Sequence, residues 1–210
     1  MADIVIVGAG GHSKVVADAA VRAGFEIMGF VDDQANTAPL PGYWLMGTIA
    51  DLANMRALSS AARILVAIGD NRTRMRVVEE LALPAGRYAT VIDPSAVVSR
   101  YASIAEGTVV LQGAIVNAGT AVGRHAVLNT GCTVDHDCRI GDYAHVSPGT
   151  HLAGGVAVGE GAHLGIGACA IPGCSVGDWS VIGAGAAIVK DVPAKCVAVG
   201  VPAKVVRSLP

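Results

Sequence analysis

The sequence predicts an α/β Rossmann-like unit with a small parallel sheet, followed by an all-β left-handed parallel β-helix. In the first ninety residues, short apolar runs alternate with glycine turns and helical stretches, as they do in parallel α/β sheets. From Ile92 to Ile188 every sixth residue is aliphatic. A period of six fits short parallel strands joined by tight corners, three strands to a coil. These patterns place the N-terminal unit at residues 1–87, the β-helix at 88–192 and a C-terminal cap at 193–210.

The N-terminal unit reads as a strand, a glycine turn and a helix, followed by further strands and a second helix. The apolar run DIVIVG predicts the first strand, and the periodic stretch KVVADAAVRAG predicts a helix that ends at Gly24. The later elements are two strands, EIMGFVDD and ARILVAIG, and a helix, NRTRMRVVEELA.

The β-helix prediction rests on two registers that agree. Sixteen of the seventeen positions at the six-residue spacing are Ile, Val or Leu, and Ala170 is the exception. A small side chain stands two residues before each of them, which predicts that Cys132, Cys138 and Cys174 are packing residues. Glycine and asparagine recur at the turns, where we expect corners with unusual φ and ψ. These turn residues are Asn117, Gly123, Asn129, Gly141, Gly159, Gly165, Gly177 and Gly183.

Composition excludes several classes of protein. Hydrophobic residues make up 52% of the 210 residues and the net charge is −2, so binding to the phosphate backbone of a nucleic acid has no electrostatic basis. No stretch approaches the roughly 18 apolar residues of a membrane-spanning helix, and the N-terminus lacks the basic region of a signal peptide. The five cysteines contain no CxxC pair, which argues against a disulfide framework. We expect a cytoplasmic protein.

The turn GAGGHS is a candidate anion site. Gly10 and Gly11 follow a strand and open a helix, where free N–H groups and the helix dipole favour a phosphate. Ser13 stands where the dinucleotide fingerprint has its third glycine, which disfavours a nicotinamide cofactor. Asp32 and Asp33 end the next strand, where a ribose-binding acid would lie. A phosphate site and a merely tight turn both remain open on the residues alone.

Five of the six histidines fall in the predicted β-helix. His145 and His163 are one coil apart and should stack on one face, with His151 on the neighbouring face. Stacked imidazoles raise the alternative of a zinc site, but no two of these histidines are five residues apart, the spacing seen in γ-class carbonic anhydrases. We expect no metal. His125, His151 and His163 are predicted to be surface or interface residues without an assigned role.

His136 is distinguished by its neighbours Asp135 and Asp137. It lies two residues past Val134, at a corner, and should point away from the apolar interior. A carboxylate beside an imidazole raises its basicity and fixes the nitrogen that carries the proton. The motif is therefore either a general base or a solvated polar corner.

The order of the motifs resembles that of a known family over the whole chain. GAGGHSKVV, FVDD, AIGDN, a hexapeptide domain with VDHDC and AHVSPG, and a GVPAK tail are similar to the bacterial sugar O-/N-acyltransferases. That family includes N-acetyltransferases of nucleotide-linked 4-amino-4,6-dideoxy sugars, of the bacillosamine and perosamine pathways, and sialic acid O-acetyltransferases. Its members pair a Rossmann-like domain with a trimerising left-handed β-helix, and the resemblance implies a homotrimer.

The resemblance also implies site residues. His136 corresponds to the general base and Asp137 to the acidic residue, usually Glu, that increases its basicity. His145 corresponds to a contact of the acetyl-CoA thioester carbonyl. The remaining positions are cofactor contacts at Ile166 and Ala184, and substrate contacts at Gly10, Gly11, His12, Asp32, Asp33 and Gly69. From charge and position alone, Lys190, Lys195 and Lys204 are candidates to meet the CoA phosphates.

The function that follows is an acetyl-CoA-dependent N-acetyltransferase. It would act on the 4-amino group of a GDP- or UDP-linked 4-amino-4,6-dideoxy sugar by direct attack, without an acyl-enzyme. No cysteine lies in an electropositive motif that would suggest an acyl-cysteine route. The alternatives are a sialic acid or sugar O-acetyltransferase, a zinc-dependent lyase of the γ-carbonic-anhydrase type, and a non-catalytic trimeric scaffold. A glycan-biosynthetic role, such as lipopolysaccharide synthesis, is expected.

Overall fold

The computed structural model describes residues 2–52, 62–84 and 86–210. Its N-terminal part contains a four-stranded parallel sheet with strand order β3-β2-β1-β4. The strands are β1 (Ala2–Val7), β2 (Phe25–Val31), β3 (Leu45–Gly47) and β4 (Arg63–Val66), and the helices are α1 (Gly11–Arg22), α2 (Ile49–Leu52) and α3 (Asn71–Leu81). None of these three helices in the described residues has the length and apolar character of a membrane-crossing segment.

Tyr88 still pairs with Ile64 of β4, and residues 91–210 form the predicted β-helix and its C-terminal extension. Three faces of parallel strands repeat every 18 residues, with two-residue strands from β5 to β21. Face 1 carries β5 (Val91–Ile92), β8 (Val109–Val110), β11 (Val127–Leu128), β14 (His145–Val146), β17 (His163–Leu164) and β20 (Val181–Ile182). Face 2 carries β6 (Val97–Val98), β9 (Ile115–Val116), β12 (Thr133–Val134), β15 (His151–Leu152), β18 (Cys169–Ala170) and β21 (Ala187–Ile188). Face 3 carries β7 (Ser103–Ile104), β10 (Ala121–Val122), β13 (Arg139–Ile140), β16 (Ala157–Val158) and β19 (Ser175–Val176).

The last two strands extend face 1. Strand β22 (Cys196–Val199) pairs in parallel with β20, and β23 (Lys204–Ser208) pairs antiparallel with β22. The predicted fold class, a small parallel α/β sheet followed by a left-handed β-helix, is confirmed.

The interior of the prism follows the six-residue register. From β6 to β21 the second residue of each short strand lies in or against this core, and Val134, Leu152 and Ile188 are almost fully buried. Ile92, the second residue of β5 in the first coil, is 38% exposed. Ala170, the exception in the register, also lies in this core. The small-residue slots are filled as expected, because Cys132, Cys138 and Cys174 are buried.

The prediction for the corner glycines was wrong in its reason. Positive φ occurs two residues after the turn residues named above, for example at Gly131 and Gly167. Glycine is required at Gly141 and Gly165 because the next coil lies too close. An added Cβ would approach the backbone N of Glu160 or of Ala184 to 2.6 Å.

The N-terminal part packs on face 1 through apolar and polar contacts. Val91, Val109 and Val127, which point outward from face 1, share a core with strand β1 and helix α1. Along the edge between faces 3 and 1, the α3 side chains of Asn71 and Arg74 bond to carbonyl groups of the coils. Face 1 therefore carries the N-terminal sheet, and the edge between faces 2 and 3 lies on the opposite side of the prism.

Candidate active site

A cavity of about 630 Å³ opens at the carboxyl ends of the N-terminal strands, the edge where parallel α/β sheets bind ligands. All six residues that the resemblance implies as substrate contacts line it. The polar wall includes Gln34, Thr73, Arg76 and Glu80, and the apolar wall includes Ile49 and Val77. The six expected contacts are Gly10, Gly11, His12, Asp32, Asp33 and Gly69.

The start of α1 presents free backbone donors to this cavity. Gly10 is the N-cap residue, and no side chain caps the helix, so the first N–H groups are available to an anion. Ser13, which stands in place of the third glycine, is fully buried and its hydroxyl donates to the Gly10 carbonyl at 2.6 Å. Gly8 has φ of 105°, and an added Cβ would lie 3.0 Å from the Ala67 carbonyl oxygen.

The two acidic residues of the cavity differ in availability. Both oxygens of Asp32 accept backbone N–H bonds, from Ala9 at 2.7 Å and from Gln34 and Ala35 at 2.8 and 2.9 Å. Burial opposes ionisation, but these bonds outweigh it and lower the pKa of Asp32. Asp33 accepts one bond through Oδ1, from the Ile49 N–H at 2.8 Å. Asp32 thus holds the turn, and Asp33 keeps an oxygen for a ligand.

His12 forms the end of the cavity nearest the β-helix. Burial and then the charge of Arg74 lower the pKa of His12 to about 4, so the imidazole is neutral at physiological pH. Its Nε2 atom is buried and has no hydrogen-bond partner within the described residues. The ring centroid lies 5.9 Å from that of His145 on β14.

His145 joins the cavity to face 1. Its Nδ1 lies 3.4 Å from the Gly69 carbonyl oxygen, and its Nε2 lies 3.0 Å from Nδ2 of Asn129. A carbonyl accepts and an amide NH₂ donates, so the contacts favour the neutral tautomer protonated at Nδ1. Burial, the first cause, lowers the pKa of His145 to about 3. His163 lies beside His145 on the same face, as predicted, with ring centroids 4.8 Å apart and ring planes tilted by 46°.

His136 lies at the corner between β12 and β13, on the edge between faces 2 and 3. Its Nδ1 is 2.8 Å from Oδ2 of Asp137, so the ring donates to this carboxylate and keeps the lone pair on Nε2. Asp135 instead accepts the His136 backbone N–H at 2.7 Å and the Asn117 amide at 2.9 Å. The bond to Asp137, and secondarily the charge of Asp135, raise the pKa of His136.

The neighbouring coils leave room for this pair. The His136 ring lies against Gly154, where an added Cβ would meet Nε2 at 2.5 Å. On the other side, Asp137 lies against Gly119. Asp137 has φ of 60°, in the left-handed region that Asp enters more readily than most residues. The imidazole–carboxylate pair at this corner is therefore exposed to solvent, with 62% of the His136 side chain accessible.

The two expected cofactor contacts, Ile166 and Ala184, occupy successive corners of another edge, between faces 1 and 2. Both are exposed, and Ile166 is 63% exposed although it is apolar. Face 2 lies between this edge and the His136 corner. Lys190, Lys195 and Lys204 are exposed as well.

Within a single chain, therefore, the cavity and His136 lie on opposite sides of the β-helix. The cavity adjoins face 1 through Gly69 and His145. His136 lies on the edge opposite face 1. Of the residues implied by the resemblance, the chain brings the substrate set and His145 together, and it holds His136 and Asp137 apart from them.

Sequence reasoning missed the residue that fixes the cavity to the β-helix. Arg74 is 1% exposed and donates to the carbonyls of His125 at 2.9 Å, Tyr143 at 2.8 Å and Ile68 at 2.8 Å. Burial lowers the pKa of Arg74 to about 10, which still leaves it charged at neutral pH. Its bonds join the cavity floor at Ile68 to two corners of the prism.

The prediction that His125 is a surface or interface residue was wrong. It is 3% exposed, because its ring stacks on Tyr143 and meets the edge of Tyr88. A sequence signal existed, because glycine occupies ten of the fourteen positions at a six-residue spacing from Gly107 to Gly185. All fourteen positions have positive φ in the structure. The positions without glycine are Asp137 of the imidazole–carboxylate pair and His125, Tyr143 and Trp179 on the edge that faces α3.

No cluster of three or more His, Cys, Asp or Glu side chains within the described ranges is arranged to hold a metal ion. His163, the neighbour of His145, instead bonds through Nε2 to the Ser147 hydroxyl at 3.1 Å.

Comparisons with known proteins agree with this architecture. A family model described as the PglD N-terminal domain matches residues 3–81. The acetyltransferase domain of PglB from Neisseria gonorrhoeae is 39% identical, with a TM-score of 0.91 and coverage of 98% of this chain and 100% of that chain. Another structure of that domain is in complex with acetyl coenzyme A.

The descriptions of two further relatives name a nucleotide-linked sugar. PerB from Caulobacter crescentus, in complex with CoA and GDP-perosamine, is 39% identical, with a TM-score of 0.91 and coverage of 98% of each chain. UDP-N-acetylbacillosamine N-acetyltransferase of Bacillus subtilis (strain 168) is 39% identical over 112 residues, 53% of this chain. That match spans about half, 52%, of the Bacillus relative.

Proposed function

The chain belongs to the family of acetyl-CoA-dependent sugar acetyltransferases that join a PglD-type N-terminal domain to a left-handed β-helix, and we propose that it acetylates a nucleotide-linked amino sugar. The acceptor is the 4-amino group of a GDP- or UDP-linked 4-amino-4,6-dideoxy sugar. The observation that carries the proposal is the His136–Asp137 pair, an exposed imidazole whose Nδ1 donates to a carboxylate at 2.8 Å. The relatives described as perosamine and bacillosamine enzymes support this acceptor over a sugar hydroxyl.

The cavity is suited to the nucleotide sugar. The uncapped N-terminus of α1 at Gly10 offers N–H groups to the diphosphate. Asp33 has an oxygen free to accept a bond from a ribose hydroxyl. The unpartnered Nε2 of His12, at the β-helix end of the cavity, is available to bond the sugar. In this proposal residues 1–87 hold the nucleotide sugar, residues 88–192 carry out acyl transfer and residues 193–210 form the cap.

His136 acts as the general base in the proposed reaction. The sugar amine attacks the thioester carbonyl while Nε2 of His136 removes its proton, and Asp137 stabilises the imidazolium that forms. The tetrahedral intermediate then expels the CoA thiolate, which takes the proton from His136. An amide and free CoA result, with no acyl-enzyme.

We assign the active site to an interface in a homotrimer. The cavity adjoins face 1 and His136 lies on the opposite edge, so the base that serves one cavity comes from the adjacent subunit. Acetyl-CoA lies along the coils between subunits, against Ile166 and Ala184, with the C-terminal lysines near its phosphates. His145 is neutral and hydrogen-bonded at both ring nitrogens, so we place it in the wall beside the thioester. We propose that the enzyme acts in the cytoplasm and that its product is used in glycan biosynthesis.

The proposed function is tested with a thiol-release assay using acetyl-CoA and a panel of UDP-, GDP- and dTDP-linked sugars. Each 4-amino sugar is paired with the same nucleotide sugar bearing a 4-hydroxyl. We expect CoA release with a GDP- or UDP-linked amino sugar. Turnover of the hydroxyl sugar alone would favour O-acetylation, and no turnover with any acceptor would contradict the proposal.

The pH dependence provides a further prediction. Asp137 raises the pKa of His136, and Asp135 does so to a lesser degree. The base works when deprotonated, so activity appears as the pH rises through the pKa of His136. Replacing Asp137→Asn lowers that pKa, and the acid limb of the kcat/KM profile should move to lower pH while the maximum falls. Asp135→Asn is the matched control and should shift the limb less. A shift to higher pH in Asp137→Asn would contradict the assignment.

A further inference from the structure

A second cavity lies on face 2, beside the His136 corner. We call this cavity of about 400 Å³ the face-2 cleft. Asp135 and Ala153, one coil apart, form its end next to His136 and Gly154. Its floor is made by outward-facing residues of successive strands. The cleft is lined by Ile115, Asn117, Thr133, Asp135, His151, Leu152, Ala153, Cys169 and Ala170.

The central polar group of the face-2 cleft is His151, which the sequence left without a role. It is exposed on β15 and pairs in register with Thr133 on β12 and Cys169 on β18. The Thr133 hydroxyl lies 2.9 Å from His151 Nδ1. With the hydroxyl as donor, Nδ1 accepts and the ring proton resides on Nε2. Nε2 has no hydrogen-bond partner in the described part of the chain, so this N–H is available to a ligand.

His145, the residue expected at the thioester carbonyl, lacks such a donor. It is 7% exposed, and its protonated nitrogen is directed at the Gly69 carbonyl. Its other nitrogen accepts from Asn129. The acyl-transfer reaction nevertheless develops a negative oxygen that needs a hydrogen-bond donor.

We propose that His151 is a further catalytic residue, which donates its Nε2–H to the thioester carbonyl oxygen of acetyl-CoA bound in the face-2 cleft. This inference rests on the proposed function. When the amine attacks, the carbonyl π electrons move to oxygen, and the Nε2–H of His151 bonds to that oxyanion. When the C–S bond breaks, the carbonyl re-forms, the sulfur leaves with the bond pair, and the proton held by His136 completes the thiol.

The spacing between His136 and His151 along the corner is compatible with one acting as general base and the other as oxyanion donor. His151 precedes Gly154, on which the His136 ring lies, by three residues, or about 10 Å of extended chain. A base–amine hydrogen bond, the forming C–N bond, the C–O bond and an oxyanion hydrogen bond together span roughly 8 Å, with heavy-atom hydrogen bonds near 3 Å. About 10 Å is an upper limit, because the chain turns at Gly154, so a span of roughly 8 Å fits between the two groups.

The test separates carbonyl stabilisation from cofactor binding. In His151→Ala we expect kcat to fall about 100-fold, the loss typical of one missing oxyanion donor. The affinity for CoA, which has no acyl carbonyl, should be unchanged when measured by calorimetry. Thr133→Val, which removes the hydroxyl that fixes the tautomer, should lower kcat by a smaller factor, and Thr133→Ser should recover part of it. Ser103→Ala, an outward-facing change on face 3, is the control for general perturbation.

The outcomes distinguish the two proposals. An equal loss of CoA affinity in His151→Ala would make the residue a pantetheine contact and overturn the inference. Normal kcat in His151→Ala, with an active wild-type protein, would also overturn it and leave the proposed function standing. Absence of CoA release by the wild-type protein with every acceptor would instead contradict the proposed function itself.

Discussion

Replacing His136→Ala or His136→Asn should lower kcat by about 10²–10⁴-fold, the range that a general base contributes. Both changes remove the Nε2 lone pair that accepts the amine proton. His136 is exposed at a corner and its contacts are with Asp135, Asp137 and Gly154, so the fold should not change. Steady-state thiol release with the wild-type acceptor measures the effect.

The control is that the variants keep the fold and the oligomeric state of the wild-type protein. Circular dichroism and the oligomeric mass of the His136 variants should match those of the wild-type protein, and the KM values should change little. Near wild-type turnover in either variant would show that His136 is a solvated corner residue and would refute the mechanism.

Replacing Arg74→Met should lower the free energy of unfolding by roughly 3–5 kcal/mol, because each buried acceptor left without a partner costs about 1–3 kcal/mol. Methionine fills much of the volume but leaves the carbonyls of His125, Tyr143 and Ile68 without their donor. Urea denaturation followed by circular dichroism measures the change. Since Arg74 also bonds the cavity floor, the affinity for the nucleotide sugar should fall as well.

Arg72→Met is the matched control on the same helix. Arg72 is exposed, and its guanidinium stacks on the Trp179 ring at 4.8 Å, a contact worth about 0.5–1 kcal/mol at the surface. Equal destabilisation by the two changes would contradict the role given to Arg74.

The β-helix could be predicted from the sequence because a solenoid is nearly one-dimensional. Each residue's surroundings follow from its place in the six-residue register, so the interior position of Val134 and the packing of Cys138 are set by spacing alone. The glycine assignment failed because a corner can require glycine for two separate reasons. One is close approach of the next coil, as at Gly141, and the other is positive φ, as at Gly131.

The candidate site could be predicted in its residue types more than in its arrangement. Neighbours in sequence suffice to pair His136 with Asp137, and a strand followed by glycines indicates the turn at Gly10. The burial of Arg74 could not be predicted, because its acceptors at His125 and Tyr143 lie 51 and 69 residues away. The bonds that occupy His145 depend likewise on Gly69, 76 residues earlier.

The central claim is that His136 of one subunit serves the cavity of another, and mixing two inactive variants tests it most directly. One variant is His136→Ala. The other is Gly11→Glu, which sets a carboxylate in the proposed diphosphate site, at a position where an added Cβ meets nothing within 4 Å.

Each variant alone should be nearly inactive. After the two are unfolded together and refolded, chains that mix at random in the proposed cyclic trimer give about a quarter of sites with an intact cavity beside an intact base. Thiol release should therefore recover to about that fraction of wild-type activity. Activity no greater than the sum of the separately refolded variants, in samples shown by mass to contain mixed trimers, would contradict the shared site.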